Sequence, residues 1–452
     1  MQPGSSVTTV SSTKLTDRLP KPVDFWETAQ SLGFPAALWR LPNQQDKHLI
    51  VSFDNILPRV SADLEELPAG FLVSRFDNMA DLAHSGGAND LRSQYSDEPF
   101  ETDTDSPART LFLRADIQAA FTVDGTLRND SESVINTTAK QTDTELVNQF
   151  QNALTSVRKQ SQAASDDSVT ATPLFDPQAE AVYTHNVAAA VEAMRRGAFR
   201  KVVLSRTKQV EFSEAPNAVA LFDKLCERYP TAFVSAVSIP ERGQIWISAT
   251  PERLVSIDSA GIFRTASLAG TQSAFNPDGT LKRPPEAMWS QKEIEEQAIV
   301  SRYIIQCFKK IRLREYLEEG PKTQIAGNLM HLSTSYTVDT QAVRYPQLGT
   351  VMLRLLHPTS AVCGTPRDVA FSFINQHETH DREFYSGFLG PVNIDANHEG
   401  PASDIFVHIR CMKLEGKLAT LYAGAGLTED SVPEREWQET EMKCQTLLSV
   451  IS

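Results

Sequence analysis

The sequence holds no basic tail and no basic stripe. Its 43 lysines and arginines are outnumbered by 57 aspartates and glutamates, for a formal net charge of −14. That balance gives no electrostatic footprint for a phosphate backbone, which excludes nucleic acid as an expected partner. Long apolar runs are missing too. No stretch approaches the roughly 20 residues of a membrane-spanning helix, so no membrane partner is expected. The opening MQPGSSVTTVSSTKLTDRLP is polar and lacks the apolar middle of a secretory leader. Cysteine is sparse: Cys226, Cys307, Cys363, Cys411 and Cys444 lie far apart, without CxxC spacing. An odd, scattered set reads as reduced core thiols of a cytoplasmic protein, not as disulfides or a zinc site. No internal repeat is visible.

What is present is a 452-residue chain with 41% apolar and 22% charged residues, an ordinary globular composition. That length can bury a large core in one unit or several. Two textures divide it. Residues 1–175 alternate short apolar runs such as LWRLP and LIVSF with polar stretches at His84 to Thr110 and Val157 to Thr172. Both stretches carry turn residues and few apolar side chains, and read as loops or insertions.

From Asp176 onward the pattern tightens. DPQAEAVYTHNVAAAVEAMRRG places Val182, Val187, Val191 and Met194 at helical spacing and stops at Gly197. KVVLSRTKQVEF and IWISATPERLVSI read as strands, and FVHIRCMKLEGKLATLYAGAG as a hairpin turning at Glu415–Gly416. SQKEIEEQAIVSRYIIQCFKKI and PEREWQETEMKCQTLLSVIS fit long helices. Antiparallel strands interleaved with such helices predict an α+β fold.

Few residues stand out chemically by themselves. Glu436, Glu439 and Lys443 share a helix face at i, i+3 and i+7, which describes a solvated Glu–Lys pair as readily as a site. YAGAGL just before them lets a backbone approach a ligand at Gly424 and Gly426, with a helix N-terminus nearby to favour an anion. Glu293, Glu295 and Glu296 are surface charge, unless carboxylates from two helices meet at a hard cation. His331 in LMHLSTSY reads equally as a core histidine, and Lys201 and Glu252 draw no notice alone. In so acidic a chain an anionic ligand needs locally placed cations or a metal.

In order, KVVLSR, SATPERL, ASLAGT, QKEIEEQ, LMHL, LHPTSAVCGTP, FVHIRC and YAGAG followed by EWQETEMK resemble the chorismate-utilising enzyme family. The family comprises isochorismate synthases, salicylate synthases, anthranilate synthase large subunits and aminodeoxychorismate synthases. Eight ordered matches between Lys201 and Lys443 are far more specific than any one. The resemblance implies one α+β domain over residues 1–452, with two antiparallel sheets and outer helices around a deep central site. Residues 1–175 would complete that unit, and 176–452 would carry the motifs.

Position by position, the resemblance makes Lys201 the general base that activates water and Glu252 the general acid that protonates the departing 4-hydroxyl. Glu296 and Glu439 would hold Mg2+, with the ring carboxylate of chorismate completing its shell. Arg410, Lys443 and the backbone near Gly270, Thr271 and Gly424 would hold the substrate carboxylates, with His331 and Ala361 also at the substrate. The chemistry needs these types: water is a poor nucleophile and hydroxide a poor leaving group, so base and acid are both required. Lysine is a base only when neutral, so its usual pKa of about 10.4 must fall. Gln297 departs from relatives with histidine there.

Three positions separate the family members. Amine-using relatives carry glutamine where this chain has Lys201, which favours water. Aminodeoxychorismate synthases place a nucleophilic lysine in PIKGT, where this chain has Ala269. Salicylate synthases carry threonine where HPTSAV has Ala361, so alanine favours isochorismate released without pyruvate elimination. That last distinction is one residue deep, leaving salicylate synthase, or an inactive chorismate-binding relative, as alternatives. The expected assembly is a monomer or loose dimer without a glutaminase subunit. Isochorismate feeds menaquinone and siderophore synthesis, and the LWRLPN region resembles menaquinone enzymes more.

Overall fold

The computed structural model describes residues 19–78, 110–128, 141–160, 169–276, 278–326, 329–396 and 399–451, without the side chains of 141–143, 159, 160, 271, 292, 326 and 329. Two antiparallel sheets dominate them. The first runs in the order Gly364–Thr365, Lys201–Phe212, Leu418–Leu427, Cys411–Glu415, Gln244–Thr250, Phe233–Ile239, Ala36–Arg40, Lys47–Val51 and Ile117–Phe121. Ala171–Pro173 adds to its Lys201 strand. The second runs Leu317–Ala326, Leu329–Asp339, Ile262–Ser273, Arg253–Ile257, Ser403–Val407, Phe388–Val392, Gly70–Ser74, Thr110–Arg114 and Arg59–Val60. The α+β expectation of two antiparallel sheets with flanking helices therefore holds.

Many of the strands are buried on both faces, so their sequences are apolar runs instead of polar–apolar alternations. Ala37, Trp39, Phe71, Val73, Phe233 and Phe406 fill the layer between the sheets, where Phe233 and Phe406 stack with centroids 4.1 Å apart. Their neighbours Leu38 and Leu49 face outward, under helices Pro22–Leu32, Gln141–Gln160, Ala218–Arg228 and Pro433–Ile451. On the far side of the second sheet, Phe263 and Tyr336 pack beneath Gln291–Lys310 and Leu348–Leu356.

Local differences from the sequence reading have physical causes. IWISATPERLVSI is two strands in different sheets, broken at Pro251–Glu252. FVHIRC breaks in the same way between Val407 and Cys411, and the Glu415–Gly416 turn is present. The helix before Gly197 spans Ala179–Arg195, but Val182 is exposed; Tyr183 takes the buried position one residue on. Val157 to Gln160, read as loop, closes the helix Gln141–Gln160, whose Val147 and Phe150 enter the core. Thr110 and Ala171–Thr172, also in the loop readings, belong to strands. Most of the His84 to Thr110 stretch lies outside the described residues. Among the described residues, no helix is long and apolar enough to cross a membrane.

Candidate active site

The two sheets are joined by paired crossings. One chain passes from Thr250 to Arg253 and the other from Val407 to Cys411. They hold each other: Val407 N donates to Glu252 O at 2.9 Å, Ala249 N to Arg410 O at 3.1 Å, and Thr250 Oγ1 to Val407 O at 2.8 Å. Glu252 sits on the first crossing and Arg410, at φ +50°, on the second. Interrupting the strands is what frees these side chains from the pleat.

A cavity of about 430 Å³ opens beside the crossings. Ten of the eleven residues singled out in the sequence border it: Lys201, Glu252, Gly270, Glu296, His331, Ala361, Arg410, Gly424, Glu439 and Lys443. They arrive on both sheets, two helices, the two crossings and the loop of Ala361. The side chain of Thr271, next to Gly270, lies outside the described residues.

Lys201 opens its strand and is 4% exposed. Burial lowers its pKa; Glu296 and Glu252 oppose the shift and Lys443 adds to it. Burial raises Glu252 to about 7 against the pull of Lys201, Arg410 and Lys443. Glu252 is half-buried where it borders the cavity, and burial is still the largest influence on its carboxyl. His331, with its Nδ1 2.8 Å from Gly270 O, is brought down to about 4 by burial and the cations Arg410 and Lys443, and is neutral near pH 7. Burial lowers Arg410 as well, opposed first by Glu439.

Glycines make room for these groups. A Cβ on Gly426 would lie 3.3 Å from Lys201 Cε, and one on Gly424 would lie 2.8 Å from the Tyr385 hydroxyl. The YAGAG glycines thus yield space to side chains of the site itself. Gly270 takes φ +70°, with Trp289 and Glu293 within 3.5 Å of where a Cβ would stand.

Two helices deliver the carboxylates. Gln291–Lys310 starts at Ser290, whose hydroxyl and Glu293 form a reciprocal cap. Gln297 Nε2 donates to Ser267 Oγ at 2.7 Å and Thr334 Oγ1 at 3.1 Å. Gln297 is buried behind Glu296 and is not in the cavity wall. Pro433–Ile451 is anchored by Arg206, which lies over the Trp437 ring at 3.8 Å and donates to Thr440 Oγ1 at 2.7 Å. Its Glu436 is buried, while Glu439 and Lys443 on the same face are half-buried at the cavity wall. Glu439 pairs with Lys443 at 2.7 Å, and Lys443 also donates to Gly424 O at 2.7 Å.

Among the described residues, no group of three or more His, Cys, Asp or Glu side chains could hold a metal. Of the carboxylates that border the cavity, Glu252, Glu293, Glu296 and Glu439, the pair Glu296 and Glu439 comes from separate helices. Such a donor set fits magnesium, which binds through one or two carboxylates and takes its remaining ligands from water and substrate. Tyr385 and Tyr422, stacked 5.3 Å apart, also border the cavity and were not singled out in the sequence. The available signal was YSGFLG, where Gly387 and Gly390 punctuate a strand much as the glycines of YAGAG do.

The family model described as chorismate binding enzyme matches residues 118–452. Isochorismate synthase EntC of Escherichia coli is 29% identical over 252 residues, 55% of this chain and 62% of that protein. The chain spans about three-fifths of the length of the curated relatives it matches. The solved structure of MenF, the menaquinone-specific isochorismate synthase from Escherichia coli, matches with a TM-score of 0.66 at 18% identity, covering 99% of this chain and 95% of that one. A putative 2,3-dihydroxybenzoate-specific isochorismate synthase from Bacillus anthracis matches at 0.63 and 21% identity, covering 94% and 99%. At these identities the structural matches establish a shared fold.

Proposed function

Because the chain belongs to the family of chorismate-binding enzymes, we propose that its cavity converts chorismate to isochorismate, adding water at C2 and expelling the 4-hydroxyl. The observation that carries this reading is the pairing of Lys201 and Glu252 in one cavity, with burial driving both toward their neutral forms. A neutral lysine can accept a proton, and a carboxyl with a pKa of about 7 can donate one at neutral pH.

Lys201 takes the proton of the attacking water. Glu252 gives a proton to the 4-hydroxyl, which leaves as water, so one water enters and one departs. Arg410 and Lys443, with the backbone at Gly270 and Gly424, hold the two substrate carboxylates; the guanidinium suits bidentate binding and the ammonium serves as a point charge. Glu296 and Glu439 would bind magnesium, which neutralises the ring carboxylate and helps orient the ring when bound. The whole chain, 1–452, acts as one unit, as a monomer or loose dimer without a glutaminase.

The test is chromatography of chorismate incubated with the purified chain, with and without magnesium. Isochorismate formed only with magnesium is expected. Salicylate with pyruvate would replace this reading by the neighbouring reaction, and tight binding without turnover would identify an inactive relative. Lys201→Ala should lower kcat by about 10²–10⁴ with chorismate binding retained; unchanged turnover would remove Lys201 from the role. Ala361→Thr should let some salicylate appear, and strictly isochorismate output would locate the product gate elsewhere.

A further inference from the structure

The strand carrying Lys201 lacks a full neighbour on its outer side. Gly364–Thr365 covers it at Lys201 and Val202, and Ala171–Pro173 covers Val210 to Phe212. Backbone groups between these two short strands need other partners, because an unpaired buried N–H or C=O is costly. Two side chains supply some of them. Arg382 Nη2 donates to Val203 O at 2.7 Å, and Ser205 N donates to Glu378 Oε1 at 2.6 Å. Glu378 and Arg382 are themselves joined in a two-pronged ion pair, Nε to Oε2 at 2.7 Å and Nη2 to Oε1 at 2.6 Å. Each side chain is only 4% exposed. The pair substitutes for a missing strand.

The same guanidinium reaches a second wall of the site. Arg382 Nη1 donates to Val362 O at 2.8 Å. Val203 and Val362 both border the cavity, two residues after Lys201 and one after Ala361. Phe76 and Tyr385 lie under the guanidinium at 4.2 and 5.8 Å, which leaves it little freedom. We propose that Glu378 and Arg382 are positioning residues, a clamp that fixes the strand of Lys201 against the loop of Ala361 for turnover. The proposal rests on the reaction reading above. Neither residue borders the cavity; Arg382 acts through the backbone of Val203 and Val362, which do, and Glu378 acts through Arg382 and the backbone of Ser205.

Arg382→Lys keeps the charge but replaces a planar fork by a single ammonium, which cannot serve Val203 O, Val362 O and both carboxylate oxygens together. A buried pair tolerates replacement by apolar groups better than loss of one partner, so Glu378→Leu/Arg382→Met is the companion variant, which removes the clamp without leaving a buried charge unpaired. Two measurements are made on each. Hydrogen exchange of peptides over 201–206 and 361–363, without substrate, reads the clamp; kcat and KM per folded enzyme read its consequence. Faster exchange in both segments is expected, with kcat down about 10- to 100-fold, the cost of misplacing a reacting group by about 1 Å, and KM within about threefold. Unchanged exchange in both segments overturns the clamp whatever the chemistry. Faster exchange with unchanged kcat overturns positioning and leaves a merely structural pair. A parent chain that turns over no chorismate overturns the reaction reading and the positioning role with it, while exchange still judges the clamp.

Discussion

At the scale of single residues, space and charge around Lys201 and Glu252 make the sharpest predictions. Gly426 faces the lysine stem so closely that a methyl group would stand 3.3 Å from Cε. Gly426→Ala therefore requires the lysine stem to give by a few tenths of an ångström. Steady-state assays should find kcat reduced by about 10- to 100-fold with KM nearly unchanged, whereas a proportionate rise in KM would mean the glycine serves binding. Glu252 carries a stability cost of known sign. Its folded pKa of about 7 stands above the ordinary carboxyl value of 4.5. Between those values the unfolded chain has released a proton that the folded chain keeps, so stability falls as pH rises through this window. Glu252→Gln should then melt higher than the parent at pH 8, with the difference shrinking as pH falls from 7 toward 4.5, and should lack turnover. A variant that melts lower at pH 8 would show that the carboxylate is stabilising.

At the scale of elements, the two helix ends and the two crossings decide where the carboxylates and Arg410 stand. Ser290 caps the helix that bears Glu296. Ser290→Ala should cost about 1 kcal/mol in denaturant melts and raise the magnesium concentration needed for half-maximal activity; a stability loss with an unchanged magnesium response would separate the cap from the metal site. Much of this level was legible. KVVLSRTKQVEF and both long helices are where their patterns place them. What escaped depended on distant partners. IWISATPERLVSI and FVHIRC look continuous because both halves are apolar, and only the order of the sheets shows each chain leaving one sheet for the other at Glu252 and Arg410. The helix Gln141–Gln160 hid because Val147 and Phe150 are diluted among polar residues. Ten of the residues that border the cavity were picked out through ordered resemblance, since spacing alone made Glu439 and Lys443 an ordinary surface pair. Tyr385 was missed because its role as a wall depends on packing against Tyr422 and Gly424, far off in sequence.

At the scale of the whole molecule, the net charge of −14 works against the anion the site is proposed to take. Chorismate carries two carboxylates, so its approach is uphill until it comes within reach of Arg410 and Lys443 at the cavity wall. Salt separates the two effects because it screens by distance. Raising ionic strength from about 0.01 to 0.15 M shortens the Debye length from about 30 to 8 Å. The long-range repulsion fades, whereas contacts between buried cations and a bound carboxylate are screened far less. With magnesium held fixed and saturating, kcat/KM should therefore stay level or rise by about two- to threefold over that range, and kcat should not change. Arg410→Gln should lower kcat/KM by a similar factor at every salt concentration, because the lost contact is local. A steep fall in the parent's kcat/KM with salt would instead require a basic approach surface, which a chain with 57 acidic and 43 basic residues would have to build by segregating its charges around the cavity mouth.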